Sequence, residues 1–197
     1  MSATKPTTKI VSKNLLADYE LEPYYQGELS RACSIYAAIN LVRVALVTAD
    51  VREIDDQLDA EPLYRAATKA LHDKGSLYPM MVKDGIDVTS WKLVVQTVLD
   101  ALPAGLRSVI DIKWLNGKTS EGDLRQAITD GLPVALKTVC DEENHYTVIC
   151  GFDKGGFQLL DSDDNEVLKT HRGSEDQVYI AANSAVVIAA KELLKAA

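Results

Sequence analysis

Cysteine is scarce in this sequence, and long hydrophobic runs are absent from it. It contains three cysteines, Cys33, Cys140 and Cys150, among 197 residues. Their number is odd and their spacing matches no disulfide scaffold, so we expect free thiols and a reducing compartment. No stretch reaches the roughly 18 consecutive apolar residues that indicate a membrane-spanning helix. The sequence therefore predicts no membrane span, although 47% of its residues are hydrophobic, which is enough for a sizeable core.

An excess of basic residues and a secretion signal are lacking as well. The formal net charge is −8, and no basic stripe offsets it, which argues against nucleic acid as a partner. Residues 1–13 are polar and lack the apolar core of a signal peptide, so they are interpreted as a flexible N-terminal tail. We therefore expect a cytoplasmic protein, or one that is exported without a classical signal peptide.

The chain also lacks the short motifs that bind cofactors. It has no phosphate-binding loop and no dinucleotide fingerprint. The acidic run that begins at Asp161 resembles a calcium loop, but it lacks the glycine and the glutamate that such a loop needs. Cys140, His145 and Cys150 lack the closely paired ligands of a structural zinc site. The sequence predicts that neither a metal nor an organic cofactor is needed.

Helical periodicity covers the first two thirds of the chain and strand patterns cover the rest. Apolar stripes at helical spacing predict helices over residues 30–47, 61–75, 89–102, 120–131 and 191–197. Short apolar or alternating runs predict strands over 134–139, 145–152, 156–161, 166–170, 177–180 and 185–189. This order predicts an α+β fold, with a helical part over about 30–131 packed on an antiparallel sheet over about 132–190. We expect one domain, residues 14–197.

The residue types of nucleophilic catalysis occur in the order Cys33, His145, Asp161. Ser30 is a good N-cap, which would place Cys33 in the first turn of a helix, where the helix dipole favours a thiolate. A catalytic thiol also needs an imidazole within hydrogen-bond reach and a third polar group that holds the imidazole in place. His145 follows a polar turn and begins a strand, so we expect it at a sheet edge that faces a cleft.

Hairpin geometry selects the third group. His145 and Asp161 each lie eight residues from Asp153, near which the turn is predicted, so the two should be close across the hairpin. A slip in register would favour Asp163 or Asp164 instead. The alternative is that residues 161–165 form only an acidic surface turn. A catalytic base requires an orienting partner, and we therefore favour Asp161.

Two segments carry a family resemblance. The helix that follows Cys33, and the hairpin from Asn144-His145-Tyr146 to Leu159-Leu160-Asp161, resemble the nucleophile helix and the histidine hairpin of papain-like cysteine peptidases. The bacterial branch that processes double-glycine leader peptides is most similar, because it too has a Leu-Pro-Val-like strand before the histidine, here residues 132–136. The resemblance covers about residues 26–39 and 120–161. It implies a papain-like fold whose site lies in the cleft between a helical lobe and a sheet lobe.

The resemblance also implies a role for each site residue. Cys33 corresponds to the nucleophile, His145 to the base and Asp161 to the residue that orients the base. Gln26 corresponds to the glutamine whose amide stabilises the oxyanion, and the N–H of Cys33 is a second donor. Six residues separate Gln26 from Cys33, one more than in the papain archetype.

The sequence therefore predicts a cysteine peptidase that cleaves a polypeptide through a thioacyl intermediate. Two alternatives remain open. A glutamine deamidase or transglutaminase would use the same triad with a different acyl acceptor, and a binding module could retain the fold without catalysis. Residues 50–118 carry no recognised resemblance, and we expect substrate specificity to lie in this region.

Overall fold

Helices precede strands along most of the chain, as the periodicity predicts. The structure, a computed structural model, describes residues 12–25, 32–78, 85–139, 144–169 and 178–196. Its helices are α1 (Cys33–Thr48), α2 (Ile54–Gln57), α3 (Ala60–Asp73), α4 (Val88–Asp100), α5 (Ala104–Val109), α6 (Glu121–Thr129) and α7 (Lys191–Ala196). The prediction of a mixed α+β architecture is confirmed.

The described strands form one sheet. They are β1 (Lys13–Asn14), β2 (Ile110–Trp114), β3 (Val134–Val139), β4 (Asn144–Phe152), β5 (Phe157–Leu160), β6 (Val167–Leu168), β7 (Tyr179–Ile180) and β8 (Val186–Ala190). Their order is β2-β8-β3-β4-β5-β6, with β1 also paired to β4 and β7 to β3. Every one of these pairs is antiparallel. The long strand β4 therefore lies in the middle of the sheet, where neighbours fix its position on both sides.

Helices cover both faces of the sheet. On one face, Val148 of β4 and Ile188 of β8 join a core with α1, α3 and α4. On the other face, Ile149 and Val187 join a second core with α6. Because neighbouring residues of a strand point to opposite faces, a strand that is buried on both sides must be apolar throughout. This explains the uninterrupted apolar run of β8.

Helix α1 lies at the centre of the larger core. All of its sixteen residues except Tyr36 and Thr48 are buried. It contacts β4 and β8 on the sheet, and it contacts α3 and α4 on the side away from the sheet. The sequence predicts a single apolar stripe, but this helix is apolar almost all round, which is the pattern of a helix enclosed by other elements.

The structure corrects three predictions about element boundaries. Helix α1 begins at Cys33, three residues after the predicted start, and Ala32 occupies the N-cap position that was assigned to Ser30. Strand β2 lies within the stretch 30–131 that was predicted to be helical. Lys13, placed in the predicted tail, pairs with Phe152. A capping box formed by Ser120 and Asp123 is present at the start of α6.

Within the described ranges, no helix combines the length and the hydropathy that crossing a membrane requires.

Candidate functional site

Cys33 is the first residue of the buried helix α1. The carbonyl of Ala32 accepts hydrogen bonds from the N–H groups of Ile35 (2.9 Å) and Tyr36 (3.1 Å), so the first helical turn is closed directly behind the thiol. No side chain caps this end of the helix. The positive end of the helix dipole therefore lies at Cys33, and its effect falls off within the first turn. Cys33 is 6% exposed.

His145 is the second residue of β4 and is held by strand β3. It pairs with Thr138, whose hydroxyl donates a hydrogen bond to the His145 carbonyl (3.1 Å). The imidazole is 18% exposed, so it lies at the border between the interior and the solvent. The backbone that carries the ring is thus fixed by its pairing with β3, while the ring itself is partly exposed.

Asp161 directly follows β5 and meets the imidazole from the interior side. His145 Nε2 lies 2.8 Å from Asp161 Oδ2 and 3.0 Å from Oδ1. The aspartate side chain is completely buried. Oδ1 also accepts hydrogen bonds from the backbone N–H of Asp163 (2.8 Å) and from the Asn165 amide (3.1 Å). The expected contact between His145 and Asp161 is therefore present.

The hairpin brings these two residues together in a register that differs from the predicted one. Val148 pairs with Leu160, which places Thr147 rather than His145 level with Asp161. The turn is centred between Lys154 and Gly155, later than predicted, and a bulge between Ile149 and Gly151 then moves the register back by one residue. The net shift is two residues, and a shift of two keeps every side chain on its face of the sheet. Asp161 therefore remains the partner of His145.

The electrostatics couple His145 to both of its neighbours. Burial alone would lower the pKa of His145, but hydrogen bonds to Asp161 and Cys33, together with their negative charges, outweigh burial and raise the pKa to about 10. Because Nε2 faces Asp161, Nδ1 is the nitrogen left for the thiol. Burial alone would raise the pKa of Asp161, whereas the hydrogen bond and the charge of His145 lower it below its ordinary value. The arrangement favours the imidazolium form of His145 beside the Asp161 carboxylate.

Tyr146 connects this site to the region of the sequence that matched no family. Its hydroxyl donates to the Ile86 carbonyl (3.0 Å), and its ring lies 4.7 Å from the ring of Trp91 in α4. Burial raises the pKa of Tyr146, and the negative charges of Cys33 and Asp87 raise it further. Helix α4 is thereby attached to the sheet beside the thiol. The sequence placed Trp91 on an apolar helix face but gave no sign of its partner.

Two buried polar residues of α1 hold the segment that leads towards Gln26. The Asn40 side chain accepts a hydrogen bond from the Tyr24 N–H (2.9 Å) and donates one to the Tyr24 carbonyl (3.4 Å). Arg43 donates to the Glu22 carbonyl (2.5 Å). Gln26 itself, the predicted oxyanion donor, lies outside the described residues, as do Ser30 and Cys140.

Sequence reasoning missed one member of the site. It considered Asp163 and Asp164 as replacements for Asp161, but the backbone of Asp163 supports Asp161 instead. Asn165, which received no role, donates to the same carboxylate. The signal that could have identified Asn165 is its spacing, because short polar side chains near an aspartate often close local turns.

One cavity of the described residues lies apart from this site. A cavity of about 530 Å³ lies at the opposite end of α1, lined by Val47, Ile54 and several carboxylates, among them Asp50 and Glu53. Since α1 has sixteen residues, the two ends are about 24 Å apart. No group of three or more His, Cys, Asp or Glu side chains in the described part of the chain is arranged to hold a metal ion.

Comparison with known proteins adds no relative, because a scan against protein-family models found no match and a search of curated proteins found no similar sequence.

Proposed function

We propose that this protein is a thiol hydrolase of the papain-like type that cleaves a polypeptide. One observation carries the proposal: the His145 imidazole is hydrogen-bonded to the buried Asp161 at 2.8 Å, while Cys33 interacts with the same ring and helps to raise its pKa. A nucleophile, a base and a group that orients the base are the minimum set for covalent acyl transfer. The resembling family also has its nucleophile at the start of a helix and its other two groups on a hairpin.

The proposed reaction has two halves, acylation of Cys33 and hydrolysis of the thioacyl intermediate. The Cys33 thiolate attacks the carbonyl carbon of the scissile bond, and the His145 imidazolium gives its proton to the departing amine. His145 then takes a proton from water, and the resulting hydroxide attacks the thioacyl carbon and releases Cys33. Asp161 keeps Nδ1 directed at the sulfur throughout. By resemblance, Gln26 and the N–H of Cys33 stabilise the oxyanion.

The surroundings of the site are consistent with this chemistry. Cys33 and Cys150 are free thiols, as a cysteine enzyme of a reducing compartment requires, and we propose a cytoplasmic location or export without a classical signal. The buried position of Asp161 keeps its carboxylate from solvent, which strengthens its interaction with the imidazole. The acidic charge of the chain favours a neutral or basic polypeptide as the substrate.

The test compares wild type with Cys33→Ala on a candidate host or self-derived proteome and maps peptide termini by mass spectrometry. New termini should form with wild type and fall about 10³-fold or more in Cys33→Ala, because no other group replaces the nucleophile. Cys150→Ala is the matched control, since burial raises the pKa of Cys150 to about 12 and its sulfur donates to a strand carbonyl (3.5 Å).

The same experiment separates the alternatives. Glutamines that gain about one mass unit, without new termini, identify a deamidase that uses the same thioacyl intermediate. Attached amines identify a transglutaminase. Identical proteomes from wild type and Cys33→Ala, with both proteins retaining a partner in pull-down, would replace the enzyme by a binding module.

A further inference from the structure

The buried carboxylate of Asp161 is held by more than its histidine. A buried charge is costly unless it is paired and hydrogen-bonded. Three donors lie within hydrogen-bond distance of the carboxylate oxygens: the His145 ring, the Asp163 N–H and the Asn165 amide. The Thr147 side chain on the neighbouring strand also helps to lower the pKa of Asp161. Two of the three come from the five-residue segment that the aspartate itself begins. The segment is therefore a local support for this side chain.

The donors are divided unevenly between the two carboxylate oxygens. Asp163 and Asn165 both donate to Oδ1, at 2.8 and 3.1 Å. The imidazole approaches Oδ2 most closely, at 2.8 Å. Contacts on Oδ1 fix the rotation of the carboxylate about its Cβ–Cγ bond, which is otherwise a soft torsion. Fixing Oδ1 therefore turns Oδ2 towards the histidine.

The backbone of the segment is shaped to bring Asn165 back to Asp161. The Asp163 N–H closes a turn onto the aspartate side chain two residues earlier, and Asp164 adopts a left-handed conformation with φ of 60°. A left-handed residue reverses the chain, and the Asn165 side chain then points back over the turn. Asn165 is an exposed residue, so its amide is not needed to fill the core.

We infer that Asn165 is a positioning residue of the catalytic site, which holds the Asp161 carboxylate in the orientation that directs His145 at Cys33. The inference rests on the proposed function. Asn165 acts only through Asp161 and touches no reacting atom. Proline is the only substitution that removes the Asp163 N–H, and it would also fix φ and disturb the turn, so Asn165 is the donor of this segment that mutation can test cleanly.

The test uses Asn165→Ala, with Val167→Ala as the matched control. Val167 is an exposed neutral side chain two residues further on, at the start of β6, so both variants truncate an exposed side chain near the site without a change of charge. Asn165→Ala should slow iodoacetamide labelling of Cys33 at pH 7 by about three- to tenfold, since hydrogen bonds to charged groups are among the stronger ones. It should lower kcat by a similar factor with KM unchanged, while Val167→Ala leaves both at the wild-type values.

A second readout does not depend on any substrate. The imidazole resonances, followed by NMR and assigned with His145→Gln, should show a His145 pKa lower than in wild type, because a rotated carboxylate holds the imidazolium less well. A merely structural role would change the urea midpoint and leave the His145 titration in place. At pH 8, iodoacetamide should label Cys33 more slowly in Asn165→Asp than in Asn165→Ala. The second carboxylate lies beside Asp161 and repels the Asp161 carboxylate.

The outcomes distinguish this inference from the proposed function. Wild-type labelling, wild-type kcat and an unmoved His145 titration in Asn165→Ala would overturn the role of Asn165 and leave the triad standing. Equal labelling of Cys33 and Cys150 in the wild-type protein would overturn the activated thiol itself, and the role of Asn165 with it.

Discussion

At the scale of single residues, the pair of His145 and Asp161 governs the site. The aspartate side chain is fully buried and the histidine is 18% exposed, so their attraction is only weakly screened by solvent. A buried pair of this kind gains its attraction at a desolvation cost, and removing one partner leaves the other charge uncompensated. Its contribution to stability must therefore depend on pH in a defined window.

We predict that this contribution is largest in mild acid. The pKa of His145 is raised from 6.5 to about 10 in the folded protein, so its contribution is complete below about pH 6.5 and is lost as the pH rises through 10. The pKa of Asp161 is lowered, so its contribution is present above about pH 4 and is lost in stronger acid. In urea unfolding, the stability lost in His145→Gln should be greatest near pH 5.5 and smaller at pH 9.5.

The control for this measurement is His72→Gln, which changes an exposed histidine at the end of α3. It should cost within about 0.5 kcal/mol at each pH, as surface substitutions generally do. If the unfolding free energy lost in His145→Gln grew towards pH 9.5, this result would contradict a charged histidine in the folded protein.

At the scale of elements, periodicity predicted the long elements but missed four of the short ones, α2, α5, β1 and β2. Strand β3 was predicted at its observed bounds, Val134–Val139, because its apolar run is ended by turn residues on both sides. Helix α2 has four residues, and the five residues of β2 follow a six-residue helix, so neither offers a window in which a period can be recognised. Strand β1 has two residues, and its pairing is fixed only by its distant partner.

The residues of the candidate site also divide into those with a local signal in the sequence and those without one. Cys33, His145 and Asp161 could be predicted because a helix start and a hairpin turn leave local signals in the sequence. The supports could not be predicted: Ile86 and Tyr146 meet through a long-range hydrogen bond, and Asn165 depends on a left-handed residue that no local rule required. Periodicity can predict which face a side chain lies on, but tertiary packing decides which group it meets.

Two glycines should respond in opposite directions to a single methyl group. A Cβ at Gly151, on the central strand β4, would lie 2.8 Å from the Lys13 carbonyl oxygen of β1 and closer still to Gln158 Oε1. Gly151→Ala should therefore cost about 1–3 kcal/mol of unfolding free energy, as overpacking does. A Cβ at Gly105, in the exposed helix α5, would meet nothing within 4 Å, and Gly105→Ala should gain up to about 1 kcal/mol.

Chemical denaturation of both variants measures these effects. Equal stability of Gly151→Ala and wild type would mean that β1 is free to move away from β4.

At the scale of the whole molecule, one core joins the helices to the sheet. It includes residues from α1, α3 and α4 together with Val148 of β4 and Ile188 of β8. Trp91 of α4 adds a hydrogen bond from its indole N–H to the Ser184 carbonyl (2.8 Å), just before β8. The helical part has no separate core in the described residues, because its central helix α1 is buried against the sheet. Unfolding of one part therefore exposes the other.

This shared core predicts a single cooperative transition. Far-UV circular dichroism follows mainly the helices. Fluorescence follows the two tryptophans, Trp91, which is buried where α4 meets the sheet, and Trp114 of β2. The two signals should change at the same urea concentration, as two-state unfolding requires. Leu41→Ala, at a fully buried position in the middle of α1, should lower both midpoints together and cost about 2–5 kcal/mol, because a cavity remains where the side chain was. The control is Val109→Ala, which truncates a side chain that is 40% exposed and should leave both midpoints within experimental error. If Leu41→Ala lowered the urea midpoint of the circular dichroism signal and left the midpoint of the tryptophan fluorescence at its wild-type value, the chain would consist of two domains. The candidate site would then depend on the contact between those domains.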